Sequence, residues 1–104
     1  MDIAVLAIPD CPHAVAAAHL LADILAEQGY GHLTVTVEVI EDQEHAEACG
    51  FIGSPSFFFD GIDLFAVPGA PTAVACRTYI TPSGLAGLPD HTTLGRAVRA
   101  RLTT

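Results

Sequence analysis

The chain contains no lysine, and its permanent cations are four arginines set against twelve carboxylates, for a formal charge of −8. Such a balance repels phosphate backbones and anionic bilayers, which argues against nucleic-acid and polybasic membrane binding. A run of bilayer length is also missing. Ala, Leu and Val dominate residues 3–26, but Asp2 stands where a signal peptide would carry basic residues, and Pro9-Asp10 break the apolar run after Ile8. The stretch therefore reads as neither a secretory signal nor a span, and a cytoplasmic location is expected. Cysteines are few and odd in number (Cys11, Cys49 and Cys76), which fits a reducing compartment better than a disulfide scaffold. With no internal repeat and no linker, 104 residues predict one domain, 1–104. An apolar content of 51% with 15% charged residues places that domain among globular rather than disordered chains.

What is present falls into an orderly series. Ile3 to Ile8 is a continuous apolar run of strand length, as expected of a central strand covered on both faces. From Pro12, placed where a first helical turn tolerates proline, to Gln28 the polar residues His19, Asp23 and Glu27 recur every fourth position. That spacing predicts a helix with one solvent stripe, stopped at Gly29. Residues 33–40 alternate β-branched and polar side chains and read as a second strand. Glu41 to Cys49 reads as a short acidic helix ending at Gly50. Asp60-Gly61 between apolar runs predicts an antiparallel hairpin of strands 56–59 and 62–65. Three consecutive phenylalanines, Phe57 to Phe59, must face both sides of such a strand and are read as core. Residues 66–90, with Pro68, Pro71, Pro82, Pro89, Gly69, Gly84 and Gly87, read as a long irregular segment of the kind that carries function. Asp90 is placed to cap a last helix whose Leu94, Ala97, Val98 and Leu102 share one face while Arg96 and Arg99 point outward. The order is β-α-β-α-β-β-α, and a right-handed crossover makes the first two strands parallel neighbours.

Chemistry concentrates at Asp10-Cys11-Pro12-His13-Ala14, between the first strand and the first helix. Helix N-termini lower thiol pKa values, and the thiolate is the nucleophile. Asp10 opposes that effect, and His13, if protonated, supports it. Cys49, at a helix end, reads as a small buried hydrophobe. For Cys76, in a Pro/Gly-rich segment, an inert and a reactive role both stand open.

These residues carry a family resemblance that extends over nearly the whole chain. The element order, Cys11-Pro12-His13 at a strand-to-helix junction, and Gly50-Phe51-Ile52-Gly53-Ser54-Pro55 before an apolar strand together resemble the thioredoxin superfamily. Cys11-Pro12-His13 is similar to the start of the Cys-Pro-His-Cys motif of DsbA-type oxidoreductases. Gly50 to Pro55 is similar to the loop that holds the family's cis-proline. The segments Asp60 to Ala66 and Ala75 to Tyr79 resemble small bacterial thioredoxin-like proteins, some grouped by name beside alkylmercury lyases. The resemblance implies an α/β thioredoxin-like fold with a mixed four-stranded sheet, a cis Ser54–Pro55 bond, and a thiol oxidoreductase or redox sensor with Cys11 as nucleophile. Ala14 stands where the resolving cysteine of the motif would be.

A mixed disulfide needs one activated thiolate, so a resolving thiol would come from glutathione, from a protein partner, or from elsewhere in the chain. The implied fold brings the end of the first strand, Ser54-Pro55 and the 66–90 segment to one edge. Cys76 is the expected resolving residue there, with Arg77 favouring a thiolate nearby. No cofactor is implied, and nothing in the sequence marks an oligomeric state. Two other classes compete. Cys11-x-His13, or His45 with Cys49 one helical turn apart, offers ligands for a soft metal such as Zn, Cu(I) or mercury, but no Cys-x-x-Cys accompanies them. Carbon–mercury cleavage would need a cysteine pair and an acid at one site, and the candidates are scattered. A non-catalytic binding module could instead pair the backbone beside Pro55 with an extended peptide.

Overall fold

Every side chain from Ile3 to Ala7 is buried, and this strand, β1, is the spine of the molecule. The computed structural model describes residues 1–103. β1 pairs in parallel with β2 (Val35–Val39) and antiparallel with β3 (Ser56–Phe59). β4 (Ile62–Asp63) then extends β3, giving a mixed four-stranded sheet of order β2-β1-β3-β4. The parallel pair requires a crossover, which α1 (Ala14–Glu27) supplies. α2 (Gln43–Cys49) leads from β2 towards β3, and α3 (His91–Leu102) is the last element, so the described residues form an α/β fold with three helices.

Alternation along β1 divides the core in two. Ile3 and Val5 face Leu21, Ile24 and Leu25 of α1 and Leu94 and Val98 of α3. Ala4 and Leu6 face the opposite layer, with Ile40, Ala46 and Phe51. The antiparallel register sets Ile3 against Phe59, Ala4 against Phe58 and Val5 against Phe57. Phe57 and Phe59 therefore join the first layer and Phe58 the second. A buried phenylalanine contributes roughly 1.5–3 kcal/mol over an exposed one, so this run of three is a large share of the driving force on both faces.

Local chemistry fixes the ends of these elements. Asp60 (φ 54°) and Gly61 (φ 81°) both have positive φ, the signature of the type I′ turn that matches strand twist, and the hairpin forms as expected. Its second arm is shorter than predicted: β4 ends at Asp63, although the Leu64 N–H still donates to Phe57 O at 2.9 Å. Asp42 caps α2 by accepting the His45 N–H at 2.9 Å, so that helix begins two residues later than Glu41. Asp90 caps α3 through the Thr93 N–H.

Three further expectations need correction. α1 starts at Ala14 and not at Pro12, because residues 8–13 are taken up by turns. Its solvent face is also broader than one polar stripe: Val15, Ala16, Ala22 and Ala26 are exposed beside His19, Asp23 and Glu27. Ala17, Leu21, Ile24 and Leu25 are the buried residues of α1, so one face packs on the core and the alanines of the opposite face are left in solvent. Finally, residues 66–90 are not wholly irregular. β5 (Tyr79–Thr81) and β6 (Gly84–Ala86) form a separate two-stranded hairpin turning at Pro82-Ser83. Tyr79 reaches back into the core, whereas Ile80 and Leu85 face each other in the solvent, 83% and 72% exposed. Among the described residues no helix is long and apolar enough to cross a membrane.

Candidate functional site

Cys11 is delivered by a tight turn at the end of β1. The Cys11 N–H donates to Ile8 O at 3.3 Å, with Pro9 second in the turn and Asp10 third at φ 58°. Proline followed by a positive φ is the type II pattern, which explains the Pro-Asp pair ahead of the cysteine. The Cys11 carbonyl then accepts the Ala14 N–H at 3.3 Å. Cys11 thus lies half-buried, three residues ahead of α1, and Pro12 and His13 make a further turn between them. His13 is the N-cap of α1 but contributes no side-chain cap, so the first-turn N–H groups receive none from it.

The imidazole of His13 is seated against Gly87, just after β6. A Cβ at position 87 would overlap the ring, so glycine there is what lets the chain after the second hairpin approach the cysteine motif.

Ser54 is the hub of the site. The Ser54–Pro55 peptide bond is cis. Ser54 is 1% exposed, and its Oγ accepts the Ile8 N–H at 3.0 Å, bracing the residue from which the Cys11 turn departs. Pro55 is fully buried, and its carbonyl accepts the Tyr79 hydroxyl at 2.5 Å. Burial pushes the Tyr79 phenol well above its usual range, against the lowering effect of the Arg77 charge, so this hydroxyl stays a donor.

Residues 72–77 form a strap laid along the Phe51–Ser54 segment. The Ala73 N–H donates to Phe51 O (3.2 Å), the Ser54 N–H to Ala75 O (2.8 Å) and the Arg77 N–H to Ser54 O (2.9 Å). The last two make a parallel bridge between Ser54 and Cys76. Gln43 fastens the start of the strap through Thr72 O and Oγ1, at 3.1 and 3.0 Å. The fit is close: a Cβ on Gly53 (φ 151°) would lie 2.6 Å from the Cβ of Arg77. Cys76 itself is exposed.

This strap closes the backbone beside Pro55. An extended peptide could pair there only if the polar groups of Ser54 were open, and both are taken from within the chain. β3 is likewise occupied on both sides, by β1 and β4. The main-chain docking mode expected of a binding module is therefore filled.

Arg77 was expected to act on a thiolate, and its side chain is instead turned inward. Nη1 lies 2.8 Å from Asp63 Oδ2 and donates to Ser56 Oγ at 2.9 Å, and Nη2 donates to Phe65 O. Its guanidinium carbon sits 4.9 Å over the Tyr79 ring. With Asp63 as counter-charge, Arg77 anchors the strap to the hairpin. No local pattern announces this pair, because the two residues come from separate segments.

Cys49 is the last residue of α2. Its thiol donates to His45 O at 2.9 Å and packs beside the second core layer. Burial pushes its pKa up, and the charge of Glu38 adds to the effect. His45 is engaged by Glu38, with Nε2 at 3.4 Å from Oε1. Among the described residues no group of three or more His, Cys, Asp or Glu is placed to hold a metal ion. A cavity of about 400 Å³ lies against the second hairpin, lined by Phe65, Val67, Tyr79, Ile80, Pro89 and Thr93 among others, and none of the three cysteines lines it. Comparison with protein-family models, with curated proteins and with solved structures gives no match.

Proposed function

We propose that this chain is a thioredoxin-like thiol redox protein in which Cys11 is the nucleophile, exchanging with thiols and disulfides of the glutathione or protein type. The observation that carries the reading is the meeting of Cys11 and Ser54–Pro55 at one end of β1, joined through Ile8. Further support comes from the parallel β1–β2 pair, the antiparallel β3 and β4 beside it, and the cis bond before Pro55, which agree with the arrangement the sequence resemblance implies. In the reaction the Cys11 thiolate attacks one sulfur of a disulfide, forms a mixed disulfide and releases the other half as a thiolate.

The test is the alkylation rate of each cysteine against pH, read by peptide mass spectrometry. Cys49, protonated and hydrogen-bonded, serves as the internal slow reference. Cys11 is expected to react faster than an ordinary cysteine thiol under the same conditions. A Cys11 rate no greater than that of an unperturbed thiol overturns the proposal.

A further inference from the structure

We propose that Cys76 is the resolving thiol of Cys11, presented by the strap, and that the disulfide which oxidises Cys11 is a small one of the glutathione class. The inference rests on Cys11 being the nucleophile.

Ser54 ties the two cysteines into one assembly. On one side its Oγ holds the Ile8 N–H, and the Ile8 carbonyl holds the Cys11 N–H. On the other side its backbone N–H and C=O hold the two residues that flank Cys76. Residues 11 and 76 are distant in sequence, yet Cys11 is linked to Ser54 through Ile8 by two hydrogen bonds, and the residues on either side of Cys76 bond Ser54 directly. A disulfide needs α-carbons about 4.4–6.8 Å apart. The segment that must supply any remaining movement is suited to it: residues 9–13 lie outside β1 and α1. The Cys11 turn is closed by two hydrogen bonds of 3.3 Å, longer than an ordinary N–H···O bond, whereas the His13 carbonyl accepts the Ala17 N–H at 2.8 Å.

The same bonds define the substrate. A polypeptide disulfide could dock by adding a strand beside Pro55, but the strap already occupies both polar groups of Ser54. A small disulfide needs no such docking and has access to the half-buried Cys11.

The chemistry balances in two exchanges. The Cys11 thiolate attacks glutathione disulfide, forming the Cys11–glutathione bond and releasing one glutathione thiolate. The Cys76 thiolate then attacks the sulfur of Cys11, forming the Cys11–Cys76 bond and releasing the second glutathione. The two protein thiols are oxidised, one glutathione disulfide is reduced to two thiols, and the two thiol protons leave with the glutathione. Intramolecular attack runs at the high effective concentration of a tethered partner, so the mixed disulfide does not accumulate.

The experiment treats the reduced full-length chain with glutathione disulfide and maps its products under non-reducing conditions. A Cys49→Ser variant run in parallel removes scrambling through that thiol. The expected product is an internal Cys11–Cys76 disulfide in both proteins. Cys76→Ser is expected to trap about one glutathione per chain on Cys11. If the unsubstituted chain accumulates the Cys11–glutathione adduct with Cys76 free, or forms dimers linked through Cys76, the resolving role is overturned while Cys11 remains the nucleophile. If Cys11 stays unmodified while Cys76 reacts, the nucleophile assignment falls as well. The deciding measurement is on the unsubstituted chain and does not depend on a variant folding.

Discussion

The guanidinium of Arg77 and the carboxylate of Asp63 meet at 2.8 Å with both side chains almost wholly buried. Removing one charge strands the other in the core, which typically costs about 3–5 kcal/mol. Arg77→Ala should therefore lower the urea midpoint sharply. Arg77→Met combined with Asp63→Leu should cost less than either single change, because no unpaired charge remains. A loss below about 1 kcal/mol for Arg77→Ala would show that the pair does not anchor the strap.

Ser54→Ala deletes the acceptor of the Ile8 N–H but leaves the strap's backbone bonds to Ser54 in place. Leaving a buried donor unsatisfied costs about 1–3 kcal/mol. The Ile8 amide should exchange with solvent faster in this variant, whereas the Ser54-position and Arg77 amides should keep their protection. Unchanged Ile8 exchange would contradict the bracing role.

Gly87→Ala places a methyl group into the His13 ring. Overpacking of this kind costs about 1–3 kcal/mol. In a double-mutant cycle His13→Ala should recover most of that loss, because the obstructing ring is gone. Additive effects would mean that the two residues do not press on one another.

Asp90 accepts the Thr93 hydroxyl at 2.7 Å and the Thr93 N–H at 3.1 Å, and these bonds hold its carboxyl below the usual range. A carboxyl whose pKa is depressed by folding contributes stability that is fully present above its unfolded value, about 3.9, and is lost as pH falls through the folded value. The first turn of α3 should therefore hold until pH drops below the ordinary carboxylate range. The Thr93 amide resonance should titrate there. Asp90→Asn, which caps without titrating, should abolish that titration, and its persistence in the variant would assign it to another group.

Much of the fold was legible because local pattern and tertiary need coincide. The apolar run from Ile3 is of strand length and folds as β1 through Ala7, buried on both faces, Asp60-Gly61 satisfies two positive φ values, and Asp90 caps an amphipathic helix. Elsewhere the two diverge. Pro82 and Gly84 read as breakers of a long loop, whereas they sit in the turn and at the start of the second arm of a hairpin whose arms, three residues each, are too short to show a period. The placement of Cys11 between β1 and α1 was legible, whereas the extra turn that sets it three residues ahead of the helix was not. The strap, the turning inward of Arg77 and the seat of His13 on Gly87 were not, since each depends on contacts between segments far apart in the chain.

The bonds between the strap and the Phe51–Ser54 segment are made by the backbones of residues 73, 75 and 77, and none of them uses the side chain of residue 76. Any residue that tolerates an extended backbone would close that bridge equally well. A library of substitutions at position 76 selected for folding alone should therefore accept polar, apolar and charged residues alike. The architecture supplies a socket and leaves its contents unspecified. Whether natural sequences keep a thiol in that socket would then measure selection on reactivity, with foldability removed from the comparison.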